Sequence, residues 1–535
     1  MPISGRRVSD NDKLCQRTVL ISWGILSEPS NVGQIDLFGV KRRNKKTKQP
    51  HPRTHKNTPP ALLSPLAEFP PGRFPVALCL AYLLSWTLII AAAVGDLWLD
   101  EIWSIQFVRA TGNPIEILTR FHHDNNHVLN TLFLWLVGVQ NTLFLYRLLA
   151  VVSGMVALLL VGYLARAWGS SEALLGVVLT GTSYPLVLYF SEARGYAPAM
   201  MFALLSYALL RRNWFEFNPN RMIAFWTASI LGILSHLSFV IVSLALLLFS
   251  LANEVRMESP HRRRLILLLA YHVPPFAFFG GFYVFFAREM VIGGGPVYTN
   301  WDVIMQASTL LLGFPGDLFF GGLGVLFLMA VLLAGSYTLY RNRDEQWLFF
   351  CFVLVVAPML VLMFARPKYL YFRYFIVCFP FFYLLFSYLL CHWYRYSKPV
   401  RAGAIAAVLL LFMGQMYRVV SLLALGRGSY RAALTRILEN SPEGVVRIGS
   451  DHDFRNRVLV DFYAPSLAGS HTVRYIPQTE WHREAPDWIL THSQEISYEP
   501  PPDIAVPGVG FYRFFAAYRF SGVSGWNWFL YRGNH

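Results

Sequence analysis

The chain has 535 residues, of which 55% are hydrophobic, 16% aromatic and only 14% charged, and its mean hydropathy is +0.41. That balance excludes an ordinary soluble domain and indicates a polytopic membrane protein. The formal charge of +15 does not point to nucleic acid, because eight Lys and Arg crowd residues 41–56 and many of the others fall in short breaks between apolar runs, a pattern that reads as membrane topology.

Residues 1–73 lack an early apolar core behind a charged start, so no cleavable signal peptide is expected. KRRNKKTKQPHPRTHK (41–56) has no apolar period and carries two prolines, which predicts a disordered, solvated cytoplasmic arm near anionic lipid. From Phe74 onward, apolar segments of spanning length recur. About 11 are expected, near 74–95, 143–164, 172–190, 196–211, 222–236, 237–253, 264–287, 317–340, 347–364, 372–391 and 402–423. The 31-residue run from Met222 to Ala252 is too long for one span, so a fold-back is placed near Ser235 and His236.

Charge then predicts orientation. Arg166, Arg211 and Arg212, Arg256 with Arg262 to Arg264, Arg341 and Arg343, and Arg395, Lys398 and Arg401 mark alternate breaks, on the side of the basic arm. By the positive-inside rule that side is cytoplasmic. Asp100 and Glu101, Glu192 to Arg194, the 288–302 loop, Arg366 to Tyr374 and the C-terminal residues then face outward, as in a bacterial inner-membrane protein.

Residues 425–535 change character. SYRAALTRILEN has helical spacing, VVRIGS and DWILTH look like short buried strands, and GFYRFFAAYRF with WNWFLYRG looks like an antiparallel pair. The fold class is therefore an all-α polytopic membrane domain (74–424) carrying a small extracytoplasmic α/β domain (425–535). Asp451-His452-Asp453 reads as a strand-end turn that caps a helix. Of five cysteines, Cys15 is in the arm and Cys79, Cys351, Cys378 and Cys391 lie in or at the end of apolar spans, so neither a disulfide framework nor a structural metal spacing is expected.

The polar interval Gly95 to Asn130 is the candidate chemical site. Asp100 and Glu101 are adjacent carboxylates beside a low-dielectric phase. Mutual repulsion and lost hydration raise the proton affinity of at least one, which suits a general base. Capping of the following IWSIQFV helix is the alternative role. In His122 to His127, a polar rim including Asp124, Asn126 and His127 that hydrogen-bonds a hydroxylated ligand is favoured over a metal site, although imidazole plus carboxylate keeps a divalent metal as an alternative. Asp124 or His127 could instead orient the base. Arg366, Lys368 and Arg373, interleaved with Tyr369, Tyr371 and Tyr374, put three cations on the outward side, where a lipid phosphate would answer them and interfacial snorkelling is the competing account. Glu192 and Arg194 are expected to pair with each other or to join the site.

LDEIWS after the first span, DNNHVLNTLFLWLVG, the run LYRLLAVVSG through SEARGYAPAMMF, GILSHLSFVIVSLALLLF and FRYFIVCFP together resemble the bacterial GT-C membrane glycosyltransferases of the protein O-mannosyltransferase and aminoarabinose-transferase superfamily, over roughly Phe74 to Leu423. The resemblance implies sugar transfer from a polyprenyl-phosphate donor to a lipid, polysaccharide or protein acceptor at the outer face, and a single displacement would invert the anomeric centre. It matches Asp100 to the family's acidic base, with Glu101 beside it, Arg194 to an arginine after the third span, and Arg373-Tyr374 to its late Arg-Tyr. The chain departs from the family at His127-Val128-Leu129, where His-Pro-Pro is frequent, and at His236, where Lys is. A transporter or flippase of a lipid-linked or anionic substrate is the alternative class, although no internal repeat supports it.

Overall fold

The computed structural model describes residues 73–140, 142–211, 217–256, 262–365, 367 and 369–534. The basic arm expected over 1–73 falls outside the described residues apart from Arg73. Each of the eleven expected apolar segments coils into helix, as a chain must where no water satisfies its peptide groups.

Not all of the eleven are of full spanning length. The described residues hold eight helices long and apolar enough to cross a membrane: Phe74–Ala92, Leu143–Ala165, Phe239–Arg256, Arg262–Glu289, Leu318–Arg341, Gln346–Ala365, Phe372–Tyr394 and Lys398–Glu439. The segment expected over 172–190 is two helices, Ser170–Gly181 and Tyr184–Phe190, bent by 69° and counting as a ninth crossing if taken together. Pro185, with no N–H to donate, stands at the start of the second piece, after an extended Ser183. Tyr196–Arg211 and Pro219–Ser235 have 16 and 17 residues. At about 1.5 Å per residue they fall short of the roughly 30 Å hydrocarbon thickness.

Phe372–Tyr394 sits at the centre, with almost every side chain from Phe379 to Cys391 buried. Peripheral helices do the opposite: Val76, Leu80, Leu83 and Leu84 form an exposed stripe that only an apolar solvent accommodates. The breaks sort onto two ends. At one end Trp168 donates to Asp344 and Arg395 pairs with Glu172. At the other, the 96–130 interval meets Glu192 to Gly195, Ser235 to Ser238, the 290–296 loop and the segment leading into Phe372.

After Gly426 the chain enters the helix Tyr430–Glu439 and a six-stranded sheet in the order β2-β1-β3-β6-β5-β4, where β1 is Gly444–Ser450, β2 His471–Tyr475, β3 Trp488–Ser493, β4 Asp503–Val506, β5 Gly510–Tyr518 and β6 Asn527–Gly533. Strands β1, β2 and β3 run parallel, with the helix Asp453–Leu467 connecting β1 to β2, while β3, β6, β5 and β4 alternate. Buried Trp488, Trp528, Leu490, Leu459 and Tyr430 share one core with Leu97, Trp98, Ile102 and Ile105, so this unit is seated on the Asp100 interval. Tyr463 donates to the Leu97 carbonyl at 2.8 Å, and the Arg431 N–H donates to Asp96 at 2.9 Å. The 451–453 turn does cap the helix, but through His452, whose side chain accepts from the Arg455 N–H.

Candidate active site

Asp100 and Glu101 open the helix Leu99–Arg109, and one residue of helical rotation sends them to different environments. Glu101 is fully buried and both its oxygens are occupied. Arg147 donates to it from Nε at 2.7 Å and from Nη2 at 2.6 Å, while the Ala193 and Trp98 N–H groups donate at 2.8 and 3.2 Å. Burial alone would raise this carboxyl's proton affinity, but the Arg147 guanidinium overrides burial and holds it below the ordinary carboxylate value. The expected mutual tuning of two neighbouring acids is therefore corrected: Glu101 has no oxygen left for a substrate, and it is Glu101 that caps the helix, at the Trp98 N–H.

Asp100 lies partly open, with Oδ2 2.9 Å from Nη1 of Arg194. The Glu192–Arg194 pairing is corrected as well. Glu192 instead meets Arg427, whose Nε donates at 3.2 Å, and Arg194 turns to Asp100. Burial, only partly opposed by Arg427, raises the Glu192 carboxyl. Gly195 explains why this turn is tight, since a Cβ there would stand 1.8 Å from the Ser235 carbonyl oxygen.

Asn125 holds the centre of the site. It donates to the Asp100 carbonyl at 2.7 Å and accepts from Arg194 Nη2 at 2.9 Å. His127 Nδ1 lies 3.3 Å from the Ser235 carbonyl, which requires the proton on Nδ1 and leaves Nε2 to accept from Arg194 at 3.4 Å. Burial first and the Arg194 charge second press His127 well below its usual value, and the same causes take His236 down to about 3. Both rings are neutral at pH 7. Asn126 donates to the Ile117 and Phe121 carbonyls and ties the loop to itself. Asn130 reaches across to the Ala193 carbonyl at 2.8 Å. Asp124 Oδ1 lies 2.9 Å from His123 Nδ1 and accepts from the Gly293 N–H at 3.2 Å; although burial opposes them, these two contacts hold its carboxyl below the usual range.

Two cavities meet here. One, of about 380 Å³, runs between membrane helices and is walled by Ile233, Ile241, Phe279, Phe282, Val361 and Leu362, with Asp124, Asn126, His127, Arg194, Arg373 and Tyr374 at its polar part. The other, of about 620 Å³, lies under the C-terminal unit and contains Asp100, Trp103, Tyr371, Arg373, Arg455 and Trp526. Arg373 borders both. Its guanidinium lies over the Tyr371 ring at 4.4 Å, its Nε is buried without an acceptor, and among the described residues no carboxylate stands within ion-pair distance. Arg194 Nε and Nη1 likewise lack an aligned acceptor: the Asp100 approach is short in distance but not directed as a hydrogen bond. Buried donors left unmet cost about 1–3 kcal/mol each, so the junction is built to take an anion.

Of the expected residues, Asp100, Asp124, Asn126, His127, Arg194, Arg373 and Tyr374 thus converge, Glu101 and Glu192 lie behind them, and Arg366 and Lys368 fall outside the described residues. Among the described residues no three His, Cys, Asp or Glu side chains come together as metal ligands, and His122 faces Phe286. Sequence reasoning missed Arg147 and Arg427. Their signal was present: an arginine starting an apolar run, and one between two glycines at a span end, each needing a buried acid.

No protein-family model and no curated protein matches this sequence. Among solved structures, the chain is similar to ArnT from Cupriavidus metallidurans in the apo state, at 14% identity and a TM-score of 0.47, over 78% of this chain and 92% of that one. The same protein bound to undecaprenyl phosphate gives 13%, 0.46, 79% and 93%. An oligosaccharyltransferase from Archaeoglobus fulgidus, in complex with Zn and sulfate, gives 12%, 0.42, 78% and 67%. Likenesses this distant assign no chemistry, which comes from the residues themselves.

Proposed function

We propose that the chain is a membrane glycosyltransferase of the GT-C type, transferring a sugar from a polyprenyl-phosphate carrier to a hydroxyl of a lipid, polysaccharide or protein at the outer face of a bacterial inner membrane. The observation that carries this reading is the junction itself. An apolar cavity suited to a polyprenyl chain, with Arg194 on its wall, meets a polar cavity at Arg373; the unmet donors of both arginines suit a phosphate, and Asp100 faces the polar side. The sequence motifs around Asp100, Arg194 and Arg373 point the same way.

In this mechanism the carrier phosphate takes the free N–H groups of Arg194 and Arg373 while the sugar projects toward Asp100. Asp100 accepts the acceptor hydroxyl's proton as the oxygen bonds to the anomeric carbon. The bond from that carbon to the phosphate oxygen breaks on the opposite face, and the guanidinium groups stabilise the departing phosphate. One displacement inverts the anomeric centre. His127, neutral and aligned by Ser235, fixes Arg194 rather than moving a proton.

Undecaprenyl phosphate titrated into the full chain in detergent tests the reading. The wild type should bind it, and Arg373→Ala should weaken binding by about one to two decades, the worth of a charge-assisted phosphate contact of about 1.5–3 kcal/mol. Equal affinity in the two proteins would return Arg373 to an interfacial anchor.

A further inference from the structure

We propose that the polar cavity takes an acidic glycan and that Arg455, on the C-terminal unit, selects for its negative charge. This inference rests on reading that cavity as the acceptor side. The charged residues on its walls are Asp100, Arg373 and Arg455, and Asp100 already faces Arg194. With Asp100 set against Arg194, the two wall arginines Arg373 and Arg455 are left, among the described residues, without a carboxylate. A donor phosphate answers Arg373 and leaves Arg455.

Nothing nearby neutralises Arg455. Among the described residues no carboxylate lies within ion-pair distance of it, and its Nη1 meets only the His492 ring nitrogen Nε2, at 3.3 Å. The acids close in sequence are engaged elsewhere. Asp451 accepts from the His492 N–H and from Asn456, and also meets His492 Nδ1, while Asp453 accepts from Tyr475 and from the Gln478 N–H. The guanidinium lies 5.8 Å from the Trp526 ring centre, which orients a cation without cancelling its charge. A half-buried arginine held open to a cavity in this way favours a planar or tetrahedral anion.

The rest of the wall suits a sugar. Trp103, Tyr298, Phe454 and Trp526 present flat apolar surfaces, with Trp103 and Phe454 5.3 Å apart, and Gln306 and Gln494 supply amides that both donate and accept. Aromatic faces with a few amides match the alternating C–H and hydroxyl surfaces of a pyranose; the added arginine asks for a carboxylate or phosphate on it.

The test is binding to the full chain in detergent, followed by calorimetry, with oligogalacturonate as the carboxylate probe, a phosphorylated oligomannose as the phosphate probe and an uncharged malto-oligosaccharide for comparison. At least one acidic probe should bind more tightly than the neutral one, with an affinity that falls as salt rises. Arg455→Ala should weaken that binding about ten- to a hundredfold, with Arg455→Lys intermediate. Should Arg455→Ala fail to fold, Arg455→Gln is read against the same expectation. Failure of both acidic probes to bind, no preference over the neutral one, or undiminished binding by the variant would overturn the inference. Undecaprenyl phosphate titrated into the same wild-type preparation separates the two readings. If the carrier binds and the acidic glycans do not, only the acceptor inference falls, whereas failure to bind the carrier removes the proposed function.

Discussion

At the scale of single residues, Asp100 and Glu101 differ by one position and by every consequence of it. If Asp100 is the base, Asp100→Asn should lower turnover by at least about 10²-fold, the lower end for a positioned acid–base group, with the protein still folded and inserted. The variant cannot weaken the helix start, because Glu101 supplies the cap. Near-normal transfer by Asp100→Asn would end the assignment. His127, buried, and His236, half-buried on the cavity wall, give a separate expectation in pH. Above their ordinary value of 6.5 the folded and unfolded chains are both neutral at these rings. Between 6.5 and about 3 the unfolded chain gains a proton at His236 that the folded chain refuses, and His127 acts in the same sense. Stability should therefore fall as pH falls through that window, by up to about 1.4 kcal/mol per pH unit for each ring. His236→Gln should flatten the slope of the thermal midpoint against pH between 6.5 and 5; an unchanged slope would show that the ring titrates freely.

At the scale of elements, what the sequence disclosed depends on how far apart interacting residues lie. Long apolar runs declare a membrane helix locally, so nearly every segment was legible. So were four of the six strands after residue 443 and the antiparallel pairing of β5 with β6, while β2, β4 and the parallel pairing were not read. The shortness of Tyr196–Arg211 and Pro219–Ser235 was legible as well, in the expected bounds 196–211 and 222–236, whereas the break before Pro185 was not, since hydropathy averages over a window and blurs a bend. The Asp100, Arg194 and Arg373 convergence could be guessed from motifs, but the partners of Glu101 and Glu192 could not. Arg147 lies 46 positions from Glu101, and Arg427 lies 235 from Glu192. Yet these pairs set the site. Glu101 binds both Arg147 and the Ala193 N–H, so it fixes the helix bearing Asp100 against the turn bearing Arg194. Arg147→Met should leave a buried carboxylate unpaired and cost about 3–5 kcal/mol. Adding Glu101→Leu should recover much of that stability, because a buried pair replaced by apolar groups is often neutral, while turnover stays low without the Ala193 tether. Thermal unfolding in detergent beside sugar transfer reads both effects. A single variant as stable as the wild type would show that the pair contributes nothing to the fold.

At the scale of the whole molecule, the C-terminal unit and the 96–130 interval share one hydrophobic core and so lie at the same end of the helices. The chain must then cross an even number of times between them. Seven of the eight full-length helices lie in that stretch, and the bent pair from Ser170 to Phe190 makes an eighth crossing. Counting both short helices, Tyr196–Arg211 and Pro219–Ser235, as two more keeps the number even, whereas counting only one would put the two regions on opposite faces. Parity thus requires the short helices to be treated alike, as a pair that goes down and returns. The opposite end carries Arg166, Arg211 and Arg395, and the positive-inside rule predicts that this end is cytoplasmic. On that expectation the site and the sheet face outward, where a lipid-linked sugar would already have been delivered across the membrane. A reporter active only in the cytoplasm, fused after His535, should be silent, and an alkaline phosphatase fused there, which folds only outside, should be active. Strong activity of the cytoplasmic reporter would invert the molecule. It would place Asp100, Arg194 and Arg373 on the side where soluble nucleotide sugars are available and remove the reason for a polyprenyl carrier.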